Sequence, residues 1–260
     1  MSLIYHYCST DTLSNIIESK VLWFSDITKL KDEEEYKSGL SIIEEIVREI
    51  CPDREKMLSE ISIGMLSDEF KILTCSFSRE QNQEYLWQEY GDGHKGAVIG
   101  FDENIFTLVS LTAAFINQKN PVQETVEIVD VFYDRECFKK VVRKHIHRWS
   151  AERAATRVLL LMGLMRLACL FKRPKYKDEQ ETRAFLEVTQ KSKGHPVKTR
   201  QPESKKISYH EAPVNIGGAT GIKMIILGLQ NNLEKTRVEE ALRENGFINV
   251  RVVKSEFSAD

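Results

Sequence analysis

The chain opens with short apolar runs that alternate with an amphipathic segment. Leu3 to Cys8 is apolar enough for a strand, and Ser9-Thr10-Asp11 supplies a helix start before a stripe of leucine and isoleucine. A second apolar run, Val21 to Ser25, follows directly. This pattern predicts a strand, a helix and a second strand, with His6 as a polar ring on the first strand.

The rest of the chain mixes helical and strand-like segments. Helical spacing of apolar residues covers about 33–66 and 135–171. Further strand-like runs lie at 70–78, 97–101, 126–133, 183–188, 207–210, 224–227 and 250–254. Residues 189–206 hold two prolines and six basic residues and predict a loop. Without an internal repeat or a long linker, we expect one α+β domain over 1–260, with helical insertions at about 33–66 and 135–171.

Composition and charge argue against several classes of protein, namely nucleic-acid-binding, membrane-spanning, secreted and metal-binding ones. A net charge of −2 and a pI near 6.4 give no global field that favours nucleic acid or an anionic membrane. The longest apolar stretch is shorter than the roughly 20 residues of a bilayer span, and the first residues lack the layout of a secretion signal. The five cysteines form no CxxC pair, so we expect no metal site and no disulfide framework. These features predict a cytoplasmic protein without a membrane partner.

Several motifs combine polar and aromatic residues. They are Tyr5-His6-Tyr7, Trp23-Phe24-Ser25, Leu30-Lys31-Asp32-x-x-Glu35, Ser76-Phe77-Ser78, Leu86-Trp87-x-x-Tyr90-x-x-x-His94-Lys95-Gly96 and Glu179-x-Glu181-x-Arg183. In these motifs the chain resembles a bacterial domain-of-unknown-function family, DUF2971, over nearly its whole length. Lys31 departs from that family, which usually has Asn before the Asp.

A fainter resemblance links the chain to the ADP-ribosyltransferase superfamily. That superfamily has a His or Arg on its first strand, an aromatic or hydroxyl residue on the second, and a Glu late in the sheet. The matching positions here are His6, Phe24 or Ser25, and Glu181. The resemblance implies a mixed or antiparallel split sheet with NAD as substrate. It also implies transfer of ADP-ribose to a nucleic acid or protein, in a toxin or effector of anti-phage defence with an antitoxin or defence-system partner.

This chemistry assigns roles to acidic and basic residues. Cleavage of the nicotinamide–ribose bond passes through an oxocarbenium-like state that a carboxylate stabilises. Glu181 would take that role, and Glu179, two residues earlier on the same strand face, would orient the nucleophile. Arg183 shares that face and would pair with both acids or contact the pyrophosphate. His6 would donate a hydrogen bond to the adenosine ribose.

Aromatic and hydroxyl residues complete the expected NAD pocket. Trp23, Phe24 or Tyr36 would stack on the nicotinamide ring, and Tyr7 and Ser25 are further cofactor-binding candidates. Further cleft candidates are Asp32, Glu35, Trp87, Tyr90, His94 and Lys95.

Each of these residues also has an ordinary structural interpretation. His6 could be a satisfied polar residue of a strand, and Glu179 and Glu181 could form a solvated face. Asp32 and Glu35 fit the acidic start of a helix, and Trp87 and Tyr90 fit a packed helix face. The alternative function is therefore a non-enzymatic module that binds a nucleotide or a partner protein through the basic segment 191–206 and the aromatic helix that carries Trp87 and Tyr90.

Overall fold

The computed structural model describes residues 2–29, 34–66, 70–116, 125–151, 154–189, 194–201 and 206–256. Its strands are β1 (Leu3–Cys8), β2 (Val21–Asp26), β3 (Phe70–Ser78), β4 (Ala97–Asp102), β5 (Val126–Asp130), β6 (Glu181–Thr189), β7 (Lys198–Arg200), β8 (Ile207–Pro213), β9 (Asn215–Ile216), β10 (Ala219–Thr220), β11 (Ile222–Leu227) and β12 (Arg251–Lys254). Its helices are α1 (Thr10–Ser19), α2 (Glu34–Ile50), α3 (Arg54–Leu66), α4 (Glu84–Glu89), α5 (Asn104–Ile116), α6 (Arg135–Ala151), α7 (Ala154–Ala168) and α8 (Lys235–Glu244), with 3-10 helices at Ile27–Lys29 and Pro174–Glu179.

Local signals in the sequence account for the first unit of the fold. The Thr12 amide donates to the Ser9 hydroxyl at 3.2 Å, so Ser9 caps α1 as the sequence predicts. At the other end Lys20 has a left-handed φ of 60°, which ends the helix and directs the chain into β2. The segment predicted as a loop differs from expectation, because β7 pairs with β8 there. Residues 190–193 and 202–205 of that segment lie outside the described residues.

One mixed, mostly antiparallel sheet of ten strands organises the described residues. β6 pairs with β3 along its full length, from Phe70↔Thr189 to Ser78↔Glu181. The other edge of β3 is shared, since β1 pairs there at Ser78 and β2 at Leu73 and Thr74. The sheet therefore splits between β1 and β2, beside residues 75–77 of β3.

The two faces of the sheet pack against different helices. Side chains alternate between faces along a strand. The face that carries Ile4, Phe24 and Phe77 packs against α1, α5 and α8, and we call it the α1 face. The opposite face, the α2 face, carries Ile72 and Phe185 against α2, α3, α6 and α7, and a smaller cluster against α4. Among the described residues, none of the helices combines the length and apolar composition that a membrane span requires.

Candidate functional site

His6 and Glu181, on which the expected transferase chemistry depends, lie on opposite faces of the sheet. Tyr5 is paired with Ser78, and Ser78 with Glu181, so these three residues share the α2 face. His6 follows Tyr5 on β1 and therefore lies on the α1 face, where its ring is 5.8 Å from that of Phe77. The expectation that this imidazole and this carboxylate share one cleft is wrong.

His6 instead donates a hydrogen bond to the backbone of β3 at the gap between β1 and β2. Its Nδ1 lies 3.0 Å from the backbone oxygen of Ser76, which is beside the gap between β1 and β2. A carbonyl oxygen only accepts, so Nδ1 carries the hydrogen. Burial lowers the pKa of His6, although the bond to Ser76 opposes this shift. The neutral imidazole of His6 thus donates a hydrogen bond to the Ser76 backbone oxygen, which faces the gap between the strands and, among the described residues, has no neighbouring strand to pair with on that side.

Glu181 belongs to a buried cluster of charges that we call the ion network, formed by Lys172, Glu179, Glu181 and Arg183. Arg183 donates to both carboxylate oxygens of Glu181, at 2.6 and 3.0 Å. Lys172 bridges the two acids: its Nζ donates to Glu181 at 2.9 Å and also to Glu179. All four residues are at most 6% exposed. Both oxygens of Glu181 are therefore bound by buried cations.

The electrostatics of the ion network keep Glu181 ionised. Burial alone would raise its pKa, but Arg183 and Lys172 outweigh burial and hold the pKa well below its usual range. Glu179 reaches the network from the 3-10 helix that precedes β6, and Gln180 between them has a φ of 41°. The expectation that Glu179 and Glu181 lie on one strand is therefore wrong, although Lys172 does bring them together.

Two of the aromatic residues expected to contact NAD are buried. Phe24 has no exposed surface and packs against Phe106 on the α1 face, with 5.8 Å between the ring centroids. The Tyr7 hydroxyl donates to the Glu80 oxygen and accepts from the Gln83 amide, both at 3.0 Å, and the residue is 8% exposed. Both expectations are corrected, because neither ring has a free face for a ligand.

Tyr36, a third stacking candidate, packs partly buried against the helices on the α2 face. Of the acidic cleft candidates, Asp32 lies outside the described residues. Glu35 lies in α2, and its side chain is outside the described part of the chain.

The residues of the motif around Trp87 pack against one another and leave no space for a ligand between Trp87 and His94. Trp87 is fully buried and stacks on His94, with 5.4 Å between their ring centroids. The Nε2 of His94 contacts the Glu84 carboxylate at 3.0 Å. A side chain at Gly96 would place its Cβ 2.1 Å from the Cys8 oxygen, so only glycine fits there. Trp87 and His94 are therefore not cleft residues.

Two further members of the motif remain at the surface. Tyr90 is 48% exposed, and Lys95 is exposed. Both side chains are therefore accessible to solvent.

The split itself creates a polar surface on the α2 face, which we call the notch and define as Trp23, Ser25, Thr74, Ser76 and Arg200. Ser25 is paired with Thr74, and Ser76 is two residues further along β3, beside the gap. Trp23 is 44% exposed and Ser76 is also exposed, whereas Ser25 and Thr74 are buried. The notch thus combines buried and exposed hydroxyl groups with an exposed indole.

Arg200 reaches the notch from β7. Its guanidinium lies 5.0 Å from the centre of the Trp23 ring, and Nη2 donates to the Ser25 hydroxyl at 3.3 Å. Within the described part of the chain, the buried Nε of Arg200 and the buried Oγ1 of Thr74 have no hydrogen-bond partner. Buried polar atoms are nearly always satisfied, so these two atoms call for a partner such as a water molecule or a ligand.

Two of the five notch residues were predicted from the sequence as ligand contacts. They are Trp23 and Ser25; Arg200 lies in the basic segment 191–206 of the alternative function but was not singled out there, and Thr74 and Ser76 were missed. Arg200 is one of several basic residues in a segment without apolar periodicity, so no local signal distinguishes it. Among the described residues, no three His, Cys, Asp or Glu side chains are grouped so that they could hold a metal ion.

The fold and the site define an α+β protein with a split sheet and a polar notch. A family model described as a protein of unknown function (DUF2971) matches residues 86–184, which include the Trp87 motif and the ion-network acids. The resemblance to that family is therefore supported over this part of the chain. No curated protein and no solved structure matches the chain. The likeness to ADP-ribosyltransferases accordingly depends on the order of motifs alone.

Proposed function

We propose that this protein binds a nucleotide, an aromatic base joined to phosphate, in the notch. The observation that carries the proposal is the pair of buried polar atoms, Arg200 Nε and Thr74 Oγ1, that lack a partner in the described residues. A phosphate oxygen accepts hydrogen bonds from both a guanidinium and a hydroxyl. An anionic ligand that reached either atom would satisfy its hydrogen bonding.

The exposed part of the Trp23 indole, whose ring already contacts Arg200 and Tyr209, would pack against the base of the same ligand. Stacking of a base on an aromatic side chain contributes about 1–3 kcal/mol. A charge-assisted hydrogen bond from Arg200 contributes about 1.5–3 kcal/mol. Together these contributions amount to about 2.5–6 kcal/mol, which corresponds to millimolar or high-micromolar binding before the opposing cost of ordering the ligand.

NAD fits this proposal as a ligand because it contains two nucleotides joined by a pyrophosphate. We do not extend the proposal to ADP-ribosyl transfer through His6 and Glu181. His6 lies on the α1 face and bonds the Ser76 backbone oxygen, whereas the Glu181 carboxylate is bound by Arg183 and Lys172. A role as a toxin or in defence, a macromolecular acceptor, a controlling partner and a cytoplasmic location all stay predictions.

Calorimetric titration with ADP-ribose and with NAD tests the proposal. We expect Arg200→Gln to weaken binding by about 10- to 100-fold, the loss of one charge-assisted bond. Lys198→Gln is the matched control, because Lys198 is an exposed cation of the same strand that pairs with Glu211. Its affinity should stay within about twofold of the original. Equal losses in both variants, or no binding of either ligand by the unchanged protein, would refute the proposal.

A second measurement separates binding from catalysis. Each ligand solution is analysed for free nicotinamide after incubation with the protein. Binding without nicotinamide release agrees with the proposal. Release that disappears in Glu181→Gln while the variant stays folded would instead support the transferase.

A further inference from the structure

A cavity of about 100 Å³ lies between the α2 face of the sheet and helix α7. From the sheet it is lined by every second residue at the end of β6, which are Phe185, Glu187 and Thr189. From the helix it is lined by residues three and four positions apart, which are Leu159, Met162 and Arg166. One face of a strand and one face of a helix therefore enclose the same space.

The cavity combines apolar and charged side chains. Its apolar surface comes from two phenylalanines and two aliphatic residues, namely Phe70, Leu159, Met162 and Phe185. Its charges come from Arg166, Glu187 and Glu127, the last of which is paired with Phe185 in the sheet. Two carboxylates against one guanidinium leave an excess of one negative charge. Leu159 is 68% exposed, so the cavity opens to solvent on that side.

The guanidinium of Arg166 is bound mainly to one of the two acids. Its Nη1 donates to the Glu127 carboxylate at 2.6 Å, whereas its Nε lies 3.9 Å from the Glu187 carboxylate, too far for a hydrogen bond. The Glu187 side chain is only 25% exposed. Burial raises the pKa of Glu187, and Arg166 opposes this shift only in part. The negative charge of Glu187 is thus poorly compensated beside an open cavity.

We propose that this cavity binds an ammonium group on a short aliphatic chain, with Glu187 as the counter-ion. The ammonium would donate a charge-assisted hydrogen bond to Glu187 and balance the excess negative charge of the lining. The carbon chain would pack on Phe70, Met162 and Phe185. Because an apolar cavity of about 150 Å³ holds benzene, a cavity of about 100 Å³ takes a chain of about four carbon atoms.

This site is independent of the notch, since the two have no residue in common. The same ammonium chemistry is found in two sources, a free aliphatic amine and the lysine side chain of another protein. The experiments below test the shared chemistry first and then distinguish the two sources.

The first test follows the methyl signals of the methionines by NMR during a titration with n-butylamine at about pH 7, where the amine is charged. Met162 lines the cavity, whereas Met224 on β11 packs against another cluster and serves as the reference. We expect a saturable shift of the Met162 signal and none of Met224. n-Butanol has the same carbon chain without the charge and should bind about tenfold more weakly. No shift of Met162, or equal binding of the alcohol, would overturn the proposal.

The second test removes the counter-ion. Glu187→Gln should weaken n-butylamine binding about tenfold, and its preference for the amine over n-butanol should disappear. Glu211→Gln is the matched control, because Glu211 lies on β8 of the same sheet and its side chain is 28% exposed, close to the 25% of Glu187. It should keep its affinity within about twofold.

Equal losses in the two variants, or an unchanged affinity of Glu187→Gln, would refute the assignment of the counter-ion. Circular dichroism checks that both variants fold. If Glu187→Gln does not fold, the comparison of n-butylamine with n-butanol in the unchanged protein still decides whether the cavity selects a cation.

A third titration distinguishes the sources of the ammonium group. Acetyl-lysine amide carries the same butylammonium chain on a peptide backbone. If it shifts the Met162 signal at lower concentration than n-butylamine does, the site takes a lysine side chain; if it binds more weakly, the site takes a free amine. Both results support the ammonium site, and a failure of both ligands to shift Met162 contradicts it.

Discussion

Replacement of Glu181 by glutamine tests whether the ion network holds the fold or serves chemistry. The variant removes the negative charge that both Arg183 and Lys172 contact, at 2.6 and 2.9 Å. These cations are 1% and 4% exposed, so water cannot take over that role. Removal of one partner from a buried ion pair costs about 3–5 kcal/mol. We expect the free energy of unfolding to fall by this amount.

Urea unfolding followed by circular dichroism at neutral pH measures the change in the free energy of unfolding. Thermal unfolding gives a second readout: in a chain of this size each kcal/mol shifts the melting temperature by about 2–4 °C, so a drop of about 6–20 °C is expected. The same experiment at low pH adds a second check. Because the pKa of Glu181 is lowered in the folded state, its contribution is present above about pH 4.5 and is lost as the pH falls further.

Glu187 provides the matched control for this experiment. It lies on the same strand and face, but its nearest contact with Arg166 is 3.9 Å. Burial, with a smaller contribution from Glu127, raises its pKa, so its charge is poorly compensated. Glu187→Gln should therefore change stability by less than about 0.5 kcal/mol or increase it. If Glu181→Gln is as stable as the original protein, the ion network does not hold the fold and Glu181 returns as a catalytic candidate.

Three further predictions concern other parts of the structure. His6→Phe should cost about 1–3 kcal/mol, because the Ser76 oxygen loses its donor, yet leave ADP-ribose affinity within about twofold; urea unfolding and calorimetry check both, and a large loss of affinity would contradict the structural role. Gly96→Ala should cost more than about 3 kcal/mol, since backbone at Cys8 blocks its Cβ, and a melting temperature near the original would contradict this. Finally, the unfolded chain protonates His210 near pH 6.5 but the folded chain only near about 4, so stability should fall by about 2–3 kcal/mol across that window in urea titrations; an unchanged midpoint would refute it.

Local patterns in the sequence were sufficient for much of the secondary structure. β1, α1 and β2 lie where the apolar runs and the Ser9 cap predict them, because caps and apolar alternation act over a few residues. The prediction that Glu181 and Arg183 share a strand face is confirmed by their two hydrogen bonds. That prediction needed only the two-residue repeat of a strand.

Relations between distant strands were beyond these patterns. His6 and Glu181 were placed in one cleft on the order of motifs, but their faces are fixed by two successive registers, Tyr5↔Ser78 and Ser78↔Glu181. A shift of one residue in either register would have reversed the result. Phe24 was chosen as an aromatic residue of the second strand, yet the side chain beside it, Trp23, is the exposed one.

By itself the sequence determined which segments form strands and helices, where α1 begins, and which neighbours along a strand share a face. Only the tertiary structure decided that Arg200 lies over Trp23, that Thr74 lies beneath the same notch, and that the carboxylate of Glu181 is enclosed by cations. The physical reason is the distance along the chain over which each kind of interaction acts. Caps and periodicity are set by bonds between residues close along the chain, whereas the notch and the ion network depend on how β3 pairs with three strands distant in sequence.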